Sequence, residues 1–182
     1  MKTALLVIDV QMAFVHDDAA GASRSCPAAS ENIAHLLAYS RSHGEKIVHI
    51  HHHGLDPGDP FHADAPGAEV QPFATPLDGE DIVIKHVASA FTATSLEMEL
   101  HTAGVERLII CGATANHCAE STARAAGNLG FDTLYVSDAV WAYGVTGPDG
   151  EKHSAEQIHS VTLANLHGEF ATVQTTAQIL GA

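Results

Sequence analysis

Cys118, Lys85 and Asp9, a thiol, an ammonium and a carboxylate, each follow an apolar run in this 182-residue chain. Cys118 lies in GATANHCAE, residues 112–120, between the run RLIIC and the helix-like STARAAGNLG. A cysteine attacks as thiolate, so its free value of about 8.5 must be lowered or a base must take its proton. The first amides of a helix supply partial positive charge, and Lys85, at the end of DIVIK, can add a full one. Asp9, at the end of LLVID, is placed to accept the thiol proton and return it to a leaving amine. The turn itself offers backbone N–H groups to a developing oxyanion. Acyl transfer to cysteine, followed by hydrolysis of the thioester, uses all of these parts and needs no metal.

Each residue also has a plainer reading. Free cysteines are among the most buried side chains, and Cys111, inside its apolar run, is best read that way. Asp9 can merely bind the following loop, and Lys85 alone can be a surface lysine. The catalytic reading gains its weight from joint placement, which depends on the elements that carry the three residues.

Apolar runs at Thr3 to Val10, KIVHIH, DIVIK, ERLIIC, DTLYVSDA and FATVQT read as six strands. Between them PAASENIAHLLAYSRSHG, SLEMELHTAG, AESTARAAGNLG and SAEQIHSVTLANLHG read as helices, with TAQILGA as a short last one. Ser30 or Asn32 is expected to cap the first helix, and Gly44 to close it. Residues 53–80 hold most of the prolines and form a long irregular loop. This alternation predicts a parallel sheet with helices on both faces, an α/β fold in one domain, residues 1–182. Ligands in such sheets bind at the carboxyl ends of the strands. Asp9, His51 to His53, Lys85, Cys118 and Asp138 fall there.

Composition narrows the function further. Hydrophobic residues make up 46% and charged ones 16%, as in a globular chain. Eight Lys and Arg against 22 Asp and Glu give a net charge of -14, which argues against nucleic acid and anionic membranes. The opening MKTALLVIDV is too short an apolar run for a signal peptide or a membrane span, so a cytoplasmic protein is expected. Cys26, Cys111 and Cys118 are odd in number and lack metal-type spacing, which disfavours a disulfide framework or a zinc knuckle.

The histidines form a rival site. In HIHHHG an extended chain puts His49, His51 and His53 on one face and His52 on the other. His62, Asp56, Asp59 and Asp64 add possible ligands. The spacing lacks a standard ligand pattern, so no metal and no cofactor is expected.

The quoted residues resemble the isochorismatase-like cysteine hydrolases, the superfamily that includes nicotinamidases, N-carbamoylsarcosine amidase and ureidoacrylate amidohydrolase. LLVIDVQMAF is similar to the family's opening strand, IKHVASAFTATSLEMEL to its lysine strand and following turn, and LIICGATANHCAESTARAAGNLGFDTLYVSDA to its nucleophile segment. AEQIHSVTLANLHGEFATV is similar to the ending of many members. The resemblance implies a six-stranded parallel sheet in the order 3-2-1-4-5-6, with a Rossmann-like three-layer arrangement. It implies Cys118 as nucleophile, Asp9 as general acid and base, and Lys85 as electrostatic partner. It also implies a cis Ala113–Thr114 peptide that turns the amides of Thr114 and Cys118 into an oxyanion hole. Phe14, His52 and Phe91 line the pocket by the same analogy, and Asn116 and Trp141 join them as candidate substrate contacts. Phe91 has a plain alternative as a core residue beside a helix start. Trp141 and Tyr143 face either the pocket or a subunit contact.

Two departures bear on the substrate. Metal-dependent nicotinamidases carry Asp-x-His after the second strand, where this chain reads HIHHHG, so neither the metal nor nicotinamide carries over. Isochorismatases that cleave a vinyl ether tend to lack the cysteine, which is kept here. The expectation is a cysteine-dependent hydrolase of a small amide, acting on a small-molecule substrate and assembled as a homo-oligomer. Its rivals are an ether hydrolase indifferent to Cys118, and a non-catalytic member that binds a small molecule or senses oxidation.

Overall fold

The central strands are apolar on both sides because helices cover both faces of the sheet. β1 (Thr3–Ile8) sends Ala4, Leu6 and Ile8 into one core and Leu5 and Val7 into the other. Burying a Leu or Ile side chain in this way contributes about 1.5–3 kcal/mol. The structure, a computed structural model, describes residues 1–181. Ala182, the end of the tail segment read as helical, lies outside the described residues.

β1 pairs in parallel with β2 (Lys46–His52) and β4 (Arg107–Ala113). β3 (Asp81–Lys85) adds to β2, while β5 (Asp132–Trp141) and β8 (Thr172–Gln174) extend the other side. The order β3-β2-β1-β4-β5-β8 is the expected topology. The last strand is the eighth because a small hairpin, β6 (Val145–Thr146) and β7 (Lys152–His153), intervenes.

α2 (Ala29–His43) packs on one face of the sheet and ends at Gly44 in the left-handed conformation. No side chain caps its start. Ser30 instead accepts from Arg24, and Asn32 donates to the Asp138 carbonyl, so both expected caps are engaged elsewhere. On the opposite face α3 (Leu96–Thr102), α4 (Cys118–Asn128) and α5 (Ala155–Leu166) cover the sheet. α4 buries Ala119, Thr122, Ala123 and Ala126, a stripe of small residues at helical spacing. α6 (Thr176–Leu180) ends the chain, its Thr176 hydroxyl and amide held by Asp138 Oδ1. β5 runs three residues past Asp138, which therefore secures α6 instead of closing the strand at the reactive edge.

Besides that hairpin, a helix and two turns were not expected. α1 (Met12–Ala19) follows β1 directly, and the long loop contains 3-10 turns at Pro66–Ala68 and Pro72–Ala74. α1 packs against the first of these turns, which draws the loop over the carboxyl edge of the sheet.

Candidate active site

β1 ends at Ile8, and Asp9 takes a φ of 50°, a left-handed conformation that an aspartate tolerates better than most residues. Its amide donates to the Ile50 carbonyl at 2.9 Å, tying this break to β2. On the other side Ile8 lies opposite Gly112, where an added Cβ would come within 2.1 Å of the Ile8 carbonyl oxygen. Only glycine lets β4 pass this close to the strand end that presents Asp9.

Lys85, the last residue of β3, brings its ammonium to 2.7 Å from Asp9 Oδ2. The two side chains are 0% and 3% exposed, so the pair is shielded from water. Lys85 Nζ also lies 3.3 Å from His52 Nδ1. An ammonium has no lone pair, so Nδ1 accepts and the ring proton belongs on Nε2. Burial, reinforced by Lys85, lowers the His52 value and keeps the ring neutral.

Cys118, half-buried, is the first residue of α4. Burial pushes its thiol up to about 12, the Asp9 charge adds to the rise, and Lys85 opposes it. The helix amides and the lysine thus do not hold a resting thiolate. Of the two routes open to a cysteine nucleophile, removal of the proton by a base is the one this environment permits. Asp9 is itself raised above its ordinary value by burial, against the pull of Lys85 and Cys118. Its Oδ1 is buried and has no hydrogen-bond partner among the described residues. A proton acceptor is therefore available beside the thiol.

The turn between β4 and α4 begins with a cis Ala113–Thr114 peptide. The Thr114 carbonyl accepts from the amides of His117 and Ala119 at 3.1 and 3.3 Å, and its hydroxyl meets His117 Nδ1 at 2.9 Å. Among the described residues, the amides of Thr114 and Cys118 donate to no protein acceptor. Two N–H groups are left for an oxygen from outside the chain.

The remaining candidates separate. His52 joins the site directly. Phe14 reaches it through Phe61, whose ring lies 5.1 Å from Phe14 and 5.7 Å from His52. Phe91 instead stacks on Phe131 at 6.0 Å, next to the amino end of β5 and away from the reactive edge. Its place is the core, because the turn before α3 folds down against α4. Asn116 lines a groove of about 320 Å³ with residues of α5, its Oδ1 buried and unpaired. Trp141 is fully buried between Phe14, at 5.6 Å, and the Arg24 guanidinium, so it supports the Phe14 wall from behind and makes no subunit contact. Tyr143 donates to Asp18 at 2.8 Å in the same assembly.

Sequence reasoning passed over Gln11 and Phe61. Gln11 is fully buried and brackets the His52 backbone, accepting from its amide at 2.9 Å and donating to its carbonyl at 3.0 Å. It also donates to the Ala68 carbonyl at 2.9 Å, which fastens the long loop to the site. A polar residue two positions after the strand-end aspartate was the available signal. Phe61 had none, since its position depends on the path of the loop.

The histidine tract divides as strand alternation requires. His49 Nε2 lies 2.8 Å from Glu80 on the face away from His52, with His51 beside it. Among the described residues, no three His, Cys, Asp or Glu side chains converge to hold a metal ion. A larger groove of about 590 Å³, lined by Lys46, Asp81, Met98 and neighbours, lies at the amino end of β3 and contains no residue of the site.

Residues 3–178 match the isochorismatase domain family. An uncharacterised isochorismatase-family protein of Bacillus subtilis (strain 168) is 38% identical over 98% of this chain and 95% of its own. Maleamate amidohydrolase of Pseudomonas putida is 30% identical over 96% and 83%. The crystal structure of an isochorismatase-family protein from Chromobacterium violaceum superimposes with a TM-score of 0.94 at 35% identity, covering 100% of this chain and 93% of that one.

Proposed function

We propose that this chain, which belongs to the isochorismatase family, is a cysteine-dependent hydrolase of small amides. The observation that carries the reading is the meeting of Cys118 with a buried carboxylate that keeps one oxygen unpaired and the other on Lys85. The amidohydrolase named among its relatives supports C–N bond chemistry on this fold.

Cys118 Sγ attacks the amide carbonyl carbon, forming the C–S bond while the thiol proton passes to Asp9 Oδ1. The carbonyl oxygen becomes an oxyanion received by the amides of Thr114 and Cys118, an interaction worth about 3–4 kcal/mol per donor in comparable sites. Asp9 returns the proton to nitrogen, the C–N bond breaks, and ammonia or an amine leaves. Water then adds to the thioester as Asp9 takes its proton. The C–S bond breaks, the carboxylic acid departs, and Sγ recovers the proton. Lys85 remains an ammonium throughout and holds the carboxylate in place. Burial disfavours charge on both the thiol and the carboxyl, so direct transfer between them separates no new charge from its partner.

The test is intact-protein mass spectrometry with a panel of small amides, alongside ammonia release. An acyl adduct on Cys118 and a loss of about 10⁴-fold in turnover for Cys118→Ala are expected. Full activity of Cys118→Ala, on an amide or a vinyl ether, would sink the proposal.

A further inference from the structure

The site's charges also restrict what it can take. We propose that its substrate is an uncharged small amide, and that amides carrying a carboxylate are excluded. This inference rests on the amide-hydrolase reading and adds the substrate class to it.

Recognition of a carboxylate calls for a cation able to turn toward it, most often an arginine. All four arginines of the chain are committed elsewhere. Arg24 is 3.4 Å from Asp18 and lies over the Trp141 ring, and Arg41 is 2.7 Å from Glu80. Arg107 is 2.5 Å from Asp132, and Arg124 is 2.6 Å from Glu120. Lys46 is paired with Asp81, and Lys85 with Asp9. Lys2 sits at the amino end of β1, the far edge of the sheet. Lys152 is exposed in β7, where alternation points it away from the side on which His153 lines the groove with Asn116.

What remains at this edge, among the described residues, offers no free cation. Asp9 and Lys85 cancel, Asp59 adds a negative charge that bears on His52, His52 offers a single N–H from an uncharged ring, and Phe61 and Phe14 supply an apolar wall. A second carboxylate here would be desolvated beside Asp9 with no cation of its own, which is costly. The net charge of -14 also repels an anion before it arrives. A neutral amide meets neither penalty.

Iodoacetamide and iodoacetate test this on the intact protein, because they differ only in an amide against a carboxylate and both alkylate a thiol with loss of iodide. Rates at Cys118 are read by peptide mass spectrometry, which separates it from Cys26 and Cys111, with 2-mercaptoethanol, a thiol that carries no other charge, as the unscreened reference. Both reagents are compared at pH 8. The iodoacetamide-to-iodoacetate rate ratio at Cys118 should exceed that of 2-mercaptoethanol by about tenfold or more. A ratio equal to or below the reference overturns the proposal.

Butyramide and succinamate extend the test to turnover. Butyramide should be favoured by about 100-fold in kcat/KM, and preference for succinamate would overturn the inference. If neither is hydrolysed while the alkylation ratio stays high, the charge selectivity stands and the amide-hydrolase reading is what fails.

Discussion

One short strand carries a carboxylate–cation pair at each end, and the two pairs have opposite characters. Glu80, just before β3, accepts from Arg41 Nε and Nη2 at 2.7 and 3.0 Å, from His49 at 2.8 Å and from the Leu77 amide at 2.9 Å. Arg41 and these other donors hold its carboxyl down at about 2. Asp9, facing Lys85 at the other end, has one ammonium on Oδ2, its Oδ1 has no hydrogen-bond partner among the described residues, and burial raises it. A carboxylate saturated with donors is poor at accepting a proton, whereas one buried with an oxygen unpaired is ready to do so. Donor count, more than the presence of an ion pair, separates the structural pair from the one proposed to react.

The strongest way to break this comparison is to neutralise the reactive member. Asp9→Asn keeps the shape of the side chain but cannot take the thiol proton. A fall of about 10³-fold in kcat/KM is expected, with the folded circular dichroism spectrum retained. A rate within a few-fold of the parent would remove Asp9 from the proton path.

Acid should separate the two carboxylates without any mutation. In the proposed mechanism turnover requires Asp9 as carboxylate, so kcat/KM should fall about tenfold per pH unit once pH drops below its raised value, which lies above 3.8. Stability responds differently. A carboxyl raised by folding contributes stability that is full below its unfolded value and lost as pH rises through the folded one, so protonating Asp9 does not loosen the fold. Glu80, lowered from 4.5 to about 2, stabilises fully above 4.5 and gives this up progressively as pH falls from there through about 2. A window of folded, reversibly inactive protein should therefore appear as pH falls. Its measurement is activity after return to neutral pH, set beside near-ultraviolet circular dichroism at the acid pH. Unfolding that coincides with the loss of activity would contradict the assignment.

The same contrast explains what could be read from the chain. The sheet order and the meeting of Asp9, Lys85 and Cys118 follow from apolar periodicity and strand polarity, which local sequence encodes. α1 was missed because VQMAFVHDDA continues an apolar strand without a turn, and only the break at Asp9 separates the two. Cys118 was placed correctly but its environment was not: helix amides and a lysine argued for a lowered thiol, while burial, a property of packing, raised it. Phe91 falls outside the site and Phe61 within it for a related reason. The direction of an aromatic in a loop is fixed by what the loop lies against, and here Phe91 met Phe131 while Phe61 met His52.

The smallest expected effect completes the comparison from the structural side. Glu80→Gln leaves Arg41 without its counter-charge and weakens the partner of His49, whose side chain is only 1% exposed. A loss of about 1–3 kcal/mol is expected in urea unfolding at pH 7, with kcat/KM unchanged. Because the stabilisation by Glu80 disappears as it protonates, the gap between parent and variant should narrow as pH approaches about 2. If this substitution lowered turnover as severely as Asp9→Asn, the two ends of β3 would be coupled, and donor saturation would no longer distinguish a support from a catalyst.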